Sequence, residues 1–168
     1  MKLKTFFPIA AVVAGLSLFG CGGGHDHGAH GHGHGHDHGD GGHAHEHVAP
    51  HGGTAVVLGD EVFHLEFVHV PEEGLMDAFV LDGHMEEFVR IKAESFTVAA
   101  TIGEKTEKLV FAAKGNDATG EKVGDTSQFT VQADWLKTAT NFNAVVELID
   151  VSGTSFTNVN FKFPEGNE

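Results

Sequence analysis

The chain has 168 residues, with 10 Lys and Arg against 24 Asp and Glu, and a formal net charge of −14 when its 14 His are neutral. An acidic balance of this size makes it a poor partner for nucleic acid or an anionic lipid surface, both of which select a positive footprint. Its single Cys rules out an intramolecular disulfide.

At the start of the chain, Lys2 and Lys4 precede an apolar stretch from Phe6 to Phe19. That stretch is too short for a comfortable membrane span and has the plan of a secretory signal over residues 1–20. The segment Leu18-Phe19-Gly20-Cys21 resembles the lipobox of bacterial lipoproteins, which implies that Cys21 becomes the lipidated first residue of the exported chain. Gly22 and Gly23 resemble the pattern that sorts such proteins to the outer membrane, facing the periplasm. Residues 1–20 carry two of the basic residues and no acid, so their removal takes the net charge from −14 to −16.

Residues 21–50 form an arm. From 25 to 51 the chain reads HDHGAHGHGHGHDHGDGGHAHEHVAPH, and eleven of these residues are His: His25, His27, His30, His32, His34, His36, His38, His43, His45, His47 and His51. No hydrophobic period runs through the stretch, so it cannot bury enough apolar surface to offset its ordering entropy and is expected to be disordered without a ligand. What it can do is chelate. Imidazole is the commonest protein ligand for borderline transition metals, and the intervening glycines let several rings reach one ion. Zinc comes first on this reading, with copper, nickel or cobalt behind it. The other reading is a soluble tether whose His content has no role.

Residues 51–168 change character and become rich in Val, Phe, Thr and Ala, enough for one domain with a real core. Alternation dominates. Thr54 to Leu58 reads as a first strand, and the next, from Glu61 to Val70, sets Phe63, Leu65 and Phe67 against His64 and Glu66. Phe96, Val98, Ala100 and Ile102 follow the same period, as do Leu109, Phe111 and Ala113, then Phe129, Val131 and Ala133, then Val159, Phe161 and Phe163. Period two with polar partners predicts strands with one buried face. Turn signals separate them at Gly59-Asp60, Pro71 to Gly74, Asp82-Gly83, Lys114 to Asp117, Glu121 to Asp125 and Ser152-Gly153. One helix is expected, from Ala133 to Thr140, with Trp135 and Leu136 plugging an end of the core. The fold class is therefore all-β: an antiparallel sandwich or barrel of about eight strands, with Phe63, Phe67, Phe96, Phe111, Phe129 and Trp135 inside.

Three places in this domain could carry chemistry. His51-Gly52-Gly53 joins arm to domain, and the two glycines permit a tight or left-handed turn. His64 and Glu66 lie two apart on one strand, about 6–7 Å between them, on what alternation assigns to the outward face. His51 brought beside His64 and Glu66 would make a second metal site with a coordination position left open; the competing reading of the same face is plain solvation. The third place, Asp82-Gly83-His84-Met85-Glu86, is a polar turn. No zinc-finger spacing, phosphate loop or His-Glu-x-x-His pattern is present. There is no Ser in a strand-turn-helix elbow and no Cys in the domain for a copper thiolate site, so catalysis is not expected.

The succession PHGGTAVVLGDEVFHLEFV followed by DAFVLDGHMEEFVRI resembles the small exported domain of His-rich bacterial envelope lipoproteins. More distantly, His51, Gly52, Gly53, Leu65 and Glu66 resemble the metal-associated N-terminal segment of periplasmic adaptor subunits of heavy-metal efflux pumps. The turn Leu81 to His84 and the segment GDTSQFTVQADWL match the lipoproteins. The long helical hairpin of the adaptors is missing. The resemblance implies a β-rich periplasmic domain with a metal-handling role. Two alternatives stay open: a non-catalytic module docking to a metal efflux or uptake complex, and a structural lipoprotein whose arm only tethers.

Overall fold

A computed structural model of the protein describes residues 48–167. The expected signal segment, the lipidation site at Cys21 and the arm as far as His47 lie outside the described residues. Eight strands follow: β1 Thr54–Leu58, β2 Phe63–Val70, β3 Leu75–Asp82, β4 Ser95–Ile102, β5 Lys105–Ala113, β6 Gln128–Gln132, β7 Phe142–Val151 and β8 Thr154–Phe163. All pair antiparallel in one sheet, in the order β1-β2-β3-β6-β5-β4-β7-β8. Most of the turns are those that the sequence marks; the β4–β5 hairpin, turning at Gly103-Glu104, is not among them. Ser152 and Gly153, with φ of 51° and 86°, give the β7–β8 hairpin the two positive φ angles that a two-residue connection matching strand twist requires.

The sheet curls until its edge strands, β1 and β8, come together, and it is nearly closed. The chain after β8 fastens the seam. Thr54 Oγ1 donates to the Pro164 carbonyl at 3.1 Å, and the side-chain amide of Asn167 accepts from the Val57 N–H at 2.7 Å while donating to the Val57 carbonyl at 3.2 Å. That amide takes the part a peptide group of a neighbouring strand would play.

Inward-facing rings fill the barrel. Phe67 stacks on Phe161 at 4.9 Å and meets Phe111 edge-on at 5.5 Å, while Phe96 stacks on Phe111 at 5.0 Å and turns its edge to Phe129 at 5.2 Å. Phe63 and Trp135 are only partly buried against this cluster. The helix expected over Ala133–Thr140 is instead a single 3₁₀ turn, Asp134–Lys137, whose N-cap Ala133 has no side-chain acceptor to offer. Its task is the expected one. Leu136 is fully buried, Trp135 sets its edge against Phe142 at 5.4 Å, and His69 Nε2 donates to the Leu136 carbonyl at 2.7 Å.

Alternation breaks in β7 and, across from it, in β8, where the inward side chains pass from Phe156 to Val159 around Asn158 at φ 54°. Thr97 pairs with Leu148 and Val98 with Val146, so Glu147 is an extra residue, a bulge. Ala144 and Val146 point inward before it and Ile149 and Val151 after it, while Leu148 is left about half exposed.

Candidate functional site

The second face of β2 and β3 is not a solvated one. In the register, His64 stands opposite Leu81 and Glu66 opposite Phe79, so this face mixes titratable and large apolar side chains. Two pieces of chain cover it. After β3 the backbone doubles back: the Asp82 N–H donates to the Glu87 carbonyl, the Val89 N–H donates to the Val80 carbonyl, and Leu81 bridges Phe88. Met85, within that flap, is buried. Amides of Glu86 and Glu87 both donate to Asp82 Oδ1, and hydrogen bonding from Glu87 above all holds the Asp82 carboxyl below the usual carboxylate range. The other cover is the His51-Gly52-Gly53 turn. The outward, exposed placement expected of His64 and Glu66 is therefore corrected: both are at 0% exposure. Alternation gives the face on which a residue lies, and only the flanking loops decide whether water reaches that face.

A buried carboxylate is costly unless its oxygens are bonded, and the turn bonds those of Glu66. Oε1 accepts from the backbone N–H of His51 at 2.8 Å and from that of Gly53 at 2.9 Å, while Oε2 lies 2.8 Å from Nδ1 of the His51 ring. These bonds explain each residue of the His-Gly-Gly motif. Gly52 sits at φ +68°, the left-handed conformation that reverses the chain. Gly53 lies so close to β2 that a Cβ there would meet the Phe67 carbonyl oxygen at 2.6 Å and Glu66 Cγ at 2.9 Å. His51 supplies the third bond.

The arrangement also fixes the imidazole. Its ring stacks on Phe79 with centroids 4.1 Å apart and planes 20° from parallel, and Phe88 leans on it at 5.7 Å. An ionised carboxylate can only accept, so against an ionised Glu66 Nδ1 would be the donor, and a neutral ring in that tautomer would have its lone pair on Nε2. The His51 side chain remains 39% exposed. This is the carboxylate–imidazole arrangement that orients a metal ligand or a base.

His51, Phe79 and Phe88 line a small pocket of about 140 Å³ together with Thr119, Glu121 and Ser127. Burial pushes the Glu121 carboxyl up, but hydrogen bonds from Ser127 and Thr119, with the Arg90 charge 3.9 Å away, outweigh it and hold the group below the usual range. Ser127 donates its hydroxyl to Glu121 at 2.6 Å, so that proton is not directed to His51 as in a Ser-His-acid relay. A larger groove of about 500 Å³ runs over β7, β8 and the following tail, lined by Asn143, Asn160, Lys162 and Asn167 among others. It contains none of the candidate site residues that the sequence marks, and size alone gives it no chemistry.

The expected trio of His51, His64 and Glu66 is only half assembled. His51 meets Glu66, but as the partner of a carboxylate whose oxygens are committed to the turn. His64 sits two residues nearer the Gly59 hairpin, opposite Val57, with Nδ1 3.2 Å from the Asp82 carbonyl oxygen. Among the described residues no three His, Cys, Asp or Glu side chains are grouped to hold an ion. His51 thus fits a metal as a single, oriented ligand. Phe79, Phe88, Glu121 and Ser127 were not marked by sequence reasoning; Phe79 did carry a signal, a large apolar residue in the polar phase of its strand. No protein-family model, curated protein or solved structure matches the chain.

Proposed function

We propose that this protein is a non-catalytic envelope lipoprotein that binds and buffers divalent transition metal, zinc first and copper, nickel or cobalt after it. Its arm, residues 25–51, supplies the ligands, and Cys21 supplies a lipid anchor in the outer membrane facing the periplasm. The observation that carries the reading is His51. The last His of the arm is held through Nδ1 by a buried carboxylate while its side chain stays 39% exposed, an arrangement suited to an oriented metal ligand. The ten His from His25 to His47 supply many near-equivalent ligand sets, which suits fast exchange better than a single tight site.

Ring nitrogens bind metal only when unprotonated, and an ordinary His titrates near about pH 6.5. Isothermal titration with Zn²⁺ should show several ions per chain at about pH 7.5 and little uptake at about pH 5. A chain lacking residues 25–47 should lose most of that capacity. Equal uptake with and without those residues would sink the reading.

A further inference from the structure

The groove of about 500 Å³ over β7, β8 and the following tail gains a chemistry from its lining. We infer that it binds a neutral oligosaccharide. The strand register sets out its polar row. Thr101 pairs with Asn143 and Asn143 with Lys162, so a hydroxyl, a carboxamide and an ammonium share one face across β4, β7 and β8, and Val145 pairs with Asn160 in the row beside them. Ala144 and Phe161, which alternate with these residues, are buried in the core, so the row faces outward. The segment after β8 is held in place alongside. The Lys162 N–H donates to the Gly166 carbonyl at 2.9 Å and the Gly166 N–H to the Lys162 carbonyl at 2.7 Å, while Asn167 is bonded to Val57 of β1. A Cβ on Gly166 would collide with the Ala55 carbonyl oxygen, so this segment packs directly on the β1 backbone. The groove is thus shaped without a ligand, as small-molecule sites usually are, and its size falls in their range of about 300–1,000 Å³. A second hollow of about 290 Å³ shares Thr101, Asn143, Lys162 and Glu165 with it, which suits a ligand of more than one ring.

Charge, polarity and position on the sheet select this ligand. Lys162 and Glu165 lie 4.0 Å apart and cancel, so the groove is neutral on a chain of net charge −14. A phosphate would meet an ammonium already paired, on a protein whose overall field repels it, and a metal ion would find one carboxylate and no imidazole or thiol. The apolar residues along the groove, Ala144, Val145 and Phe161, are small or turned into the core, which leaves little for a ligand that binds by apolar area. What the lining does offer is mixed hydrogen bonding. A carboxamide presents donor and acceptor in one plane, and a hydroxyl does both on one atom. The hydroxyls of a sugar match that lining because each of them also donates and accepts. A peptide is the poorer fit. Extended peptides are recognised by backbone bonds to a sheet edge, whereas this groove lies on a sheet face and the backbone of Lys162 is already bonded to Gly166. None of the metal-site residues lies in the groove, so the inference stands apart from the metal-binding reading.

The test is titration of the nitrogen-labelled full-length chain, without metal, with maltotriose, cellotriose and triacetylchitotriose in turn. At least one should bind with a Kd of about 1 mM or tighter and shift the Asn143 and Asn160 side-chain amides. Asn143→Ala, at an exposed position, should weaken that binding at least about fivefold. Asn143→Asp, which keeps the size and loses the donor, should do the same, while Thr157→Ala, on β8 outside the groove, should leave binding unchanged. The shifts are read on the unaltered chain, so they remain decisive if a variant folds poorly. Side-chain amides that stay still with all three sugars at about 10 mM overturn the inference, as does binding that survives both changes at Asn143. Tighter binding of a capped tetra-alanine peptide would overturn it too, and would make the groove a peptide site.

Discussion

Replacing Phe67 by Ala is the sharpest test of how the barrel is held together. The ring is 1% exposed and lies between two others from distant parts of the chain, stacked on Phe161 and edge-on to Phe111. Removing a buried Phe side chain costs about 3–5 kcal/mol in lost transfer energy and residual cavity. Aromatic pairs add roughly 0.5–1.5 kcal/mol each beyond burial, so the upper part of that range is expected. A domain of this size has on the order of 6–18 kcal/mol in total, and the substitution removes a quarter or more of it. Urea unfolding followed by the single Trp measures the effect: the midpoint should fall by well over 1 M, with the slope unchanged, for a slope of about 1–3 kcal/mol/M. Phe88→Ala is the internal control. That ring is 47% exposed, and its loss should cost about 1 kcal/mol or less. A Phe67→Ala protein within about 1 kcal/mol of the parent would show that this ring is not wedged between β5 and β8, and the core assignment would fall.

Two further outcomes follow from the cover over β2. Gly53→Ala should destabilise by about 1–3 kcal/mol, because its Cβ would push the turn off the Phe67 carbonyl and strip a bond from the buried Glu66; Gly52→Ala, with nothing within 4 Å of its Cβ, should cost about 1–2 kcal/mol from backbone strain and leave the His51 resonances in place. Thermal melts and His side-chain spectra of the two variants compare them, and a shifted His51 in Gly52→Ala alone would contradict the assignment. For Glu121, the folded carboxyl titrates below its ordinary value of 4.5, so its contribution is complete above that pH and is lost as pH falls through the depressed value. The stability gap between the parent and Glu121→Gln should therefore be constant at neutral pH and close in acid below about pH 4.5; a gap that widens there would reverse the sign of the argument.

How much of this was legible in the sequence depends on which face is considered. The inner face was readable: Leu65 and Phe67, Phe96 and Val98, Leu109 and Phe111 sit in the core at the phase alternation gives them. β3 was legible only through the turns around it, since Phe79 and Leu81 put apolar groups in the phase where Asp77 puts a charge. β7 was obscured by the extra residue at Glu147, which shifts the inward phase from Val146 to Ile149. The outer layer was the real failure. Nothing in the local pattern around His64 and Glu66 distinguishes a face in water from one beneath a turn and a flap. The cue lay elsewhere, in the paired glycines after His51 and in apolar Met85 and Phe88 inside an otherwise polar turn. The link between His51 and Glu66 followed from the hairpin between Gly59 and Val62, but its meaning changed: the carboxylate positions the imidazole and does not join it as a ligand.

The seam fastened by Asn167 has a consequence for the order in which the protein takes shape. Its hydrogen bonds to Val57 span 110 positions of sequence, as does that from Thr54 to Pro164. Hairpins such as β1–β2, β4–β5 and β7–β8 can form as soon as each is synthesised, because their loops are short and their closure entropy small. The cylinder cannot be sealed until residue 167 has left the ribosome, so during synthesis the β1 edge stays open as an unpaired ladder of peptide groups. An unpaired edge is the surface from which β proteins aggregate or exchange strands. The clasp between β1 and the segment after β8 is therefore the contact that closes last.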